Sequence, residues 1–172
     1  MSYDRKKLER ELARDEGRKL RFYLDTVKKR SIGVGRNLDD VGIRASERLA
    51  LGITLASVLA NGITDHQCDV LLDNDIALAE QDLDAKLPWW RTLVDARQRV
   101  LLNMCFNMGI GFPPRAGKPG KGLLGFASTL EAIRSGRFAA AVAGMRASKW
   151  HGQVGARAVR LEAMMSTGKD AS

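Results

Sequence analysis

The chain has only two histidines and two cysteines among its 172 residues. A catalytic zinc site needs several His, Cys or acidic ligands converging on one ion, so a metalloamidase fits poorly. His66 and His151 stand in polar helix-edge contexts and read as surface residues. Cys68 and Cys105 each lie inside an apolar helical pattern. That marks them as buried free thiols made in a reducing compartment, not as a bridge or an accessible thiolate nucleophile. No run of about 18 apolar residues occurs, so no transmembrane helix is expected. Met1 to Lys7 are charged and lack the apolar core of a signal peptide. Strand-like alternation is rare, which leaves a mostly helical chain with a small β element. Gly33-Val34-Gly35 lacks the third glycine and following helix of a dinucleotide loop.

A hydrophobic content of 45% is enough for a packed interior. The length suits one domain, or two small lobes sharing a core. Twenty-eight basic residues against 20 acidic ones give a net charge of +8. Such a field favours an anionic partner: nucleic acid, an anionic membrane or an acidic polymer such as cell wall. No recognition helix or aromatic platform for nucleic acid is visible.

Residues 4–15 read as a helix ending at Gly17. Leu20 to Val34 carry the one convincing β signal, a hairpin turning at Lys28-Lys29-Arg30. Residues 45–60 read as a single helix packed against that hairpin. Thr64 and Gln67 have capping-box spacing before a helix that runs to about Lys86. At about 1.5 Å per residue that helix spans roughly 33 Å, the length of a strut between lobes. Asp95 to Met108 read as the central core helix, with Asp95 opening it as a cap. Residues 112–122 read as a flexible basic Pro/Gly loop. Ser128 and Glu131 suggest another capping box, helices follow over 138–147 and 156–165, and residues 168–172 should fray.

The chemistry concentrates in Asp15 to Leu38. Glu16 lies just before Gly17, Asp25 follows nine residues later, and Ser31 six after that. Two carboxylates in different local settings suit acid/base work on a glycosidic bond. A helix C-terminus disfavours an ionised carboxylate, which suits Glu16 to the acid's role. Asp25 in an open hairpin can position or activate a water, and the Ser31 hydroxyl can bind that water.

This string resembles the phage-type lysozymes, the muramidases of glycoside hydrolase family 24. Their pattern is acid-Gly, then aromatic-x-Asp-Thr, then Thr-Ile-Gly-x-Gly-His. Here it reads Glu16-Gly17, Tyr23-Leu24-Asp25-Thr26 and Ser31-Ile32-Gly33-Val34-Gly35-Arg36. The likeness continues through Leu87-Pro88-Trp89-Trp90, Asn103 to Gly109, Leu124-Gly125-Phe126, Ser148-Lys149-Trp150 and Gln153 to Arg157. Four departures stand out. Ser31 replaces Thr, Arg36 replaces His, the hairpin glycine is missing near Lys28, and residues 44–60 and 112–121 look like insertions.

The resemblance implies an α+β, mostly α, lysozyme-like two-lobed fold in one domain, residues 1–172. A small β-hairpin lobe (15–63), a connecting helix (64–86) and a helical lobe (1–14 with 87–172) make it up. It implies Glu16 as general acid, with Asp25 and Ser31 handling the water. It also implies Asn37, Phe106 and Thr129 along the substrate path, and Arg157 pairing with the acid. The implied activity is cofactor-free, metal-free, inverting hydrolysis of the β-1,4 bond between N-acetylmuramic acid and N-acetylglucosamine. The implied setting is a monomeric endolysin that acts on bacterial peptidoglycan. It would be made in the host bacterial cytoplasm and reach the wall at lysis through a separate holin-type pore, with neither stable membrane insertion nor nucleic acid as partner. The alternative is a non-catalytic peptidoglycan-binding module on the same fold.

Overall fold

A computed structural model describes residues 2–25 and 28–171. Thr26 and Val27, within the expected hairpin, lie outside the described residues. The architecture is α+β and mostly helical, with one small three-stranded antiparallel sheet. The chain folds as two compact units, Glu9–Ile76 and Met1–Leu8 with Ala77–Ser172. The dividing points fall inside helices α1 (Arg5–Glu16) and α4 (Asp65–Lys86).

The sheet belongs to the Glu9–Ile76 unit, in the order β1 (Lys19–Leu24), β2 (Arg30–Gly33), β3 (Arg36–Asn37). The hairpin turn lies earlier than the sequence suggests, because Arg30 already pairs with Leu24 in the ladder. The turn closes between Asp25 and Lys29, whose backbone amide and carbonyl bond at 2.9 Å. Lys28 takes the left-handed conformation there, with φ +65°. It occupies a position for which glycine is suited. The third strand was not anticipated, since two residues cannot show a period of two.

Residues 45–60 form two helices, α2 (Ala45–Leu51) and α3 (Leu55–Asn61), not one. The break falls at Gly52, and Thr54 caps the new helix by accepting from the Ser57 amide at 3.1 Å. α3 lies against β1, as expected: the Ile63 amide donates to the Leu20 carbonyl at 2.8 Å. α4 presents Cys68, Leu71, Leu72, Ile76, Ala79 and Leu83 at three- and four-residue spacing, and all six are buried. Thr64 and Gln67 close the expected capping box at 2.9 and 3.1 Å.

In the other unit, a 3-10 turn over Pro88–Thr92 leads to α5 (Asp95–Met108). α5 is buried from Val100 to Cys105 and forms the expected core helix. Asp95 is its first helical residue, not its cap. Its carboxylate accepts the Asp4 amide at 2.5 Å and the buried Arg99 at 2.9 Å. α6 (Ala127–Arg134), α7 (Phe138–Arg146), α8 (Lys149–Val154) and α9 (Ala156–Thr167) complete the unit. Ser128 stands inside α6 and caps nothing. α8 escaped the sequence reading because two glycines interrupt its pattern, yet Ser148 caps it through the His151 amide.

Two more expectations are corrected. The 112–122 segment is an ordered β-like hairpin, bridged at Phe112–Lys121 and Arg115–Lys118. Gly111 lies so close that a Cβ there would overlap the Lys121 carbonyl. Through residue 171 the tail is tied down as well, because the Asp170 carboxylate binds both Lys7 and buried Arg99. Salt bridges between distant residues were invisible to local pattern.

One consequence concerns the hairpin turn. A non-glycine residue at positive φ costs on the order of 1 kcal/mol, which glycine avoids despite its larger unfolded-state entropy. Lys28→Gly is therefore expected to raise the urea midpoint, by up to about 1 kcal/mol, at unchanged slope. A lowered midpoint would show that the left-handed turn carries no strain.

Candidate active site

Four of the seven residues singled out by sequence lie in the Glu9–Ile76 unit. Glu16 is the last residue of α1 and is partly buried. Asp25 directly follows β1, and its carboxylate accepts the Lys29 amide at 2.9 Å at the neck of the hairpin. Ser31 sits in the middle strand at 3% exposure, paired with Tyr23 on one side and Asn37 on the other.

Tyr23 links the two carboxylates electrostatically. Its phenol is pushed above the ordinary range, first by burial and then by the negative charges of Glu16 and Asp25. Lys19 covers its ring, with the ammonium 4.1 Å from the centroid. The sequence motif contained Tyr23 but gave it no role; the signal was its place two residues before the acid. Asn37 has a local function. Its Oδ1 accepts the Asp39 and Asp40 amides, both at 2.9 Å, and its Nδ2 reaches Asp40. This Asx turn carries the chain out of β3.

Arg36, which departs from the family pattern, is 4% exposed. Its guanidinium is forked by two carboxylates. Glu47 accepts from Nη1 at 2.6 Å and Nη2 at 2.7 Å. Asp75 accepts from Nε at 2.9 Å and Nη2 at 2.7 Å. Glu47 comes from α2, inside the segment that reads as an insertion. It also accepts the Arg44 amide, the Arg44 side chain and Asn74. Burial alone would raise the Glu47 carboxyl, but the hydrogen bonds from Arg36, the Arg44 amide and Asn74 outweigh it and hold it at about 2.

The remaining three residues lie in the other unit. Arg157, in the first turn of α9, is buried and donates from Nε to Asn103 Oδ1 at 2.7 Å. Thr129 is buried on α6 and lines a cavity of about 630 Å³. That volume lies within the usual range for ligand sites. Phe126 and Trp150 meet edge-to-face at 6.2 Å and form part of its wall, with Lys121 and Lys149 also on the lining. Trp150 is oriented by a 3.0 Å bond from its Nε1 to Asn107. Phe106 is half-buried on α5, two residues before Met108, which lines the cavity. Sequence reasoning missed Gly144. A Cβ there would overlap Thr129 Oγ1, so only glycine lets α7 approach α6 this closely.

Both cysteines are buried and free. Burial pushes the Cys105 thiol up to about 12 and raises Cys68 as well. Neither supplies a thiolate nucleophile near neutral pH. Among the described residues, no helix is long and apolar enough to cross a membrane.

The profile of the Phage lysozyme family matches residues 13–162. The pre-baseplate central spike protein Gp5 of Enterobacteria phage T4 is 29% identical over 168 residues, covering 91% of this chain but 27% of that protein. The probable T4-type lysozyme 1 of Dictyostelium discoideum is 25% identical over 163 residues, covering 90% of each.

The Glu47 carboxyl generates a pH dependence of stability. Its folded value of about 2 lies below the ordinary 4.5. The stabilisation is therefore fully present above pH 4.5 and is lost as pH falls toward 2; its size is about 3 kcal/mol. The stability difference between wild type and Glu47→Gln, measured by urea unfolding, is expected to be large at pH 6 and to shrink at about pH 2.5. A difference independent of pH would contradict an ionised Glu47.

Proposed function

This chain belongs to the phage lysozyme family, and on that premise we propose that it is a peptidoglycan muramidase. The bond cleaved is the β-1,4 link between N-acetylmuramic acid and N-acetylglucosamine. The observation that carries the reading is the placement of Glu16 at the end of α1, against the Gly35 backbone, with Asp25 at the neck of the hairpin in the same unit. Glu16 protonates the departing glycosidic oxygen. Asp25, with the Ser31 hydroxyl, orients a water and takes its proton as it attacks the opposite face of the sugar. One displacement inverts the anomeric centre. Asn37, Phe106 and Thr129 contact the glycan, and Arg157 pairs with the acid. No metal or organic cofactor takes part.

Charge supports an anionic polymer as substrate. The unit formed by Met1–Leu8 and Ala77–Ser172 has 17 basic and 8 acidic residues, a net +9. Glu9–Ile76 has 11 and 12, a net −1. The attraction for the carboxylates of wall peptides thus belongs to one unit. In this reading the protein is an endolysin, a monomer made in the host bacterial cytoplasm that meets the wall through a separate pore at lysis.

The spike-protein relative favours a second reading, in which the same domain serves as one module of a phage particle. Co-sedimentation with particles would select it; recovery of free protein from the lysate would select the endolysin.

Glu16→Gln is expected to lower reducing-end release from purified peptidoglycan by about 10²–10⁴-fold while the circular dichroism spectrum stays native. Wild-type activity in that variant would overturn the assignment of the acid. Binding of the wild-type protein to peptidoglycan without any release would favour a non-catalytic binding module.

A further inference from the structure

Arg36 is clamped from two sides, and its neighbour in sequence touches the proposed general acid. Gly35 closes the tight connection between β2 and β3 with φ +71°, a conformation that favours glycine. A Cβ on Gly35 would lie 2.9 Å from Glu16 Oε2 and 3.0 Å from Glu16 Cδ and Cγ. The Gly35 backbone is therefore packed directly against the Glu16 carboxyl. A side chain at this position would push the Glu16 carboxyl aside, and a displacement of this turn displaces the wall of the acid's site.

What holds the turn is the next residue. Every N–H direction of the Arg36 guanidinium is used: Glu47 and Asp75 each take two bonds, and the Gly42 and Leu71 carbonyls accept at 3.4 and 3.3 Å. The Glu47 side chain is 0% exposed, and Arg44, which also reaches Asp75 at 2.9 Å, balances the charge. Two cations and two anions form a neutral cluster that joins β3, α2 and α4, with Arg36 and Glu47 at its buried centre and Arg44 at its exposed edge. Arginine is the side chain suited to this geometry, since its planar fork meets two carboxylates at once. Arg36 and Glu47 act together: the buried guanidinium is met by a second carboxylate besides Asp75.

We propose that Glu47 is a positioning residue for Glu16: by clamping Arg36 it fixes the Gly35 backbone against the acid's carboxyl group. The kinetic consequence rests on the reading of Glu16 as general acid; the structural link does not. With Glu47 neutralised, Asp75 is the one carboxylate left to Arg36, which tilts toward it and draws Gly35 off Glu16. Misplacement of a catalytic group by about 1 Å can cost as much as 10²-fold in rate.

The test compares wild type, Glu47→Gln, Gly35→Ala and a control, Val58→Ala. The control removes buried apolar volume from α3 in the same unit without touching the cluster. Two quantities are read under conditions where all four are folded. One is the ¹³C NMR signal of the Glu16 carboxyl across pH 4–8, assigned by its loss in Glu16→Gln. The other is kcat and KM for reducing-end release. Glu47→Gln is expected to move the Glu16 titration by about half a pH unit and lower kcat about tenfold with KM within about twofold, and Gly35→Ala to do the same or more. Val58→Ala should leave both readouts at wild type. A Glu16 titration in Glu47→Gln that matches the control overturns the proposal, whatever the loss of stability. If the wild type releases no reducing ends, the muramidase reading fails, and the NMR comparison still decides the positioning role. If Glu47→Gln does not fold, the double variant Arg36→Met with Glu47→Met removes both charges from the interior and takes its place, with the same expected and overturning NMR results.

Discussion

A buried guanidinium with carboxylates on two sides is the constraint on which the Glu9–Ile76 unit depends. Removing water from a charge costs several kcal/mol, and only close, well-directed partners offset it. Arg36 has them because α2 and α4 each deliver one carboxylate to the same point. Leaving any one member unpaired in the interior would cost about 3–5 kcal/mol. The cluster therefore fixes where β3 can lie, and with it the register that sets Ser31 between Tyr23 and Asn37.

The same economy of position appears in the hairpin that carries Asp25 and Ser31. Asp25 serves its turn through the Lys29 amide, and Asn37 serves the next one through the Asp39 and Asp40 amides. Side chains with candidate roles toward substrate are thus also the ones that shape the loops carrying them. Their geometry is set before any glycan arrives, which is the condition for low reorganisation during reaction. In the other unit, preorganisation takes a different form. Trp150 is fixed by Asn107, Arg157 by Asn103, and the cavity wall by the close approach that Gly144 permits.

Helices with a sustained apolar period were legible residue by residue. α1, α4 and α5 fall within a residue or two of their expected bounds, and their buried faces match the pattern. What failed were features that depend on partners far along the chain. A basic Pro/Gly stretch reads as flexible until the backbone of Gly111 is seen seated against Lys121. A charged tail reads as frayed until Asp170 is seen bound to Lys7 and Arg99. Arg36 reads as a replacement for histidine that could pair with an acid, but nothing local reveals that Glu47 and Asp75 will meet it.

The sequence by itself determined the helical majority, the single β element, the two buried thiols and the family. Each is written in local periodicity or in a contiguous motif. It also named Glu16, Asp25 and Ser31, since their spacing along the chain is the motif. Only the tertiary structure decided that Tyr23 feels both carboxylates, that Gly35 packs against Glu16, and that Glu47 supplies a counter-ion for Arg36. Those facts join residues up to 39 positions apart. The physical reason is that burial and Coulomb interaction depend on distance in space, which chain order does not encode until the fold is formed.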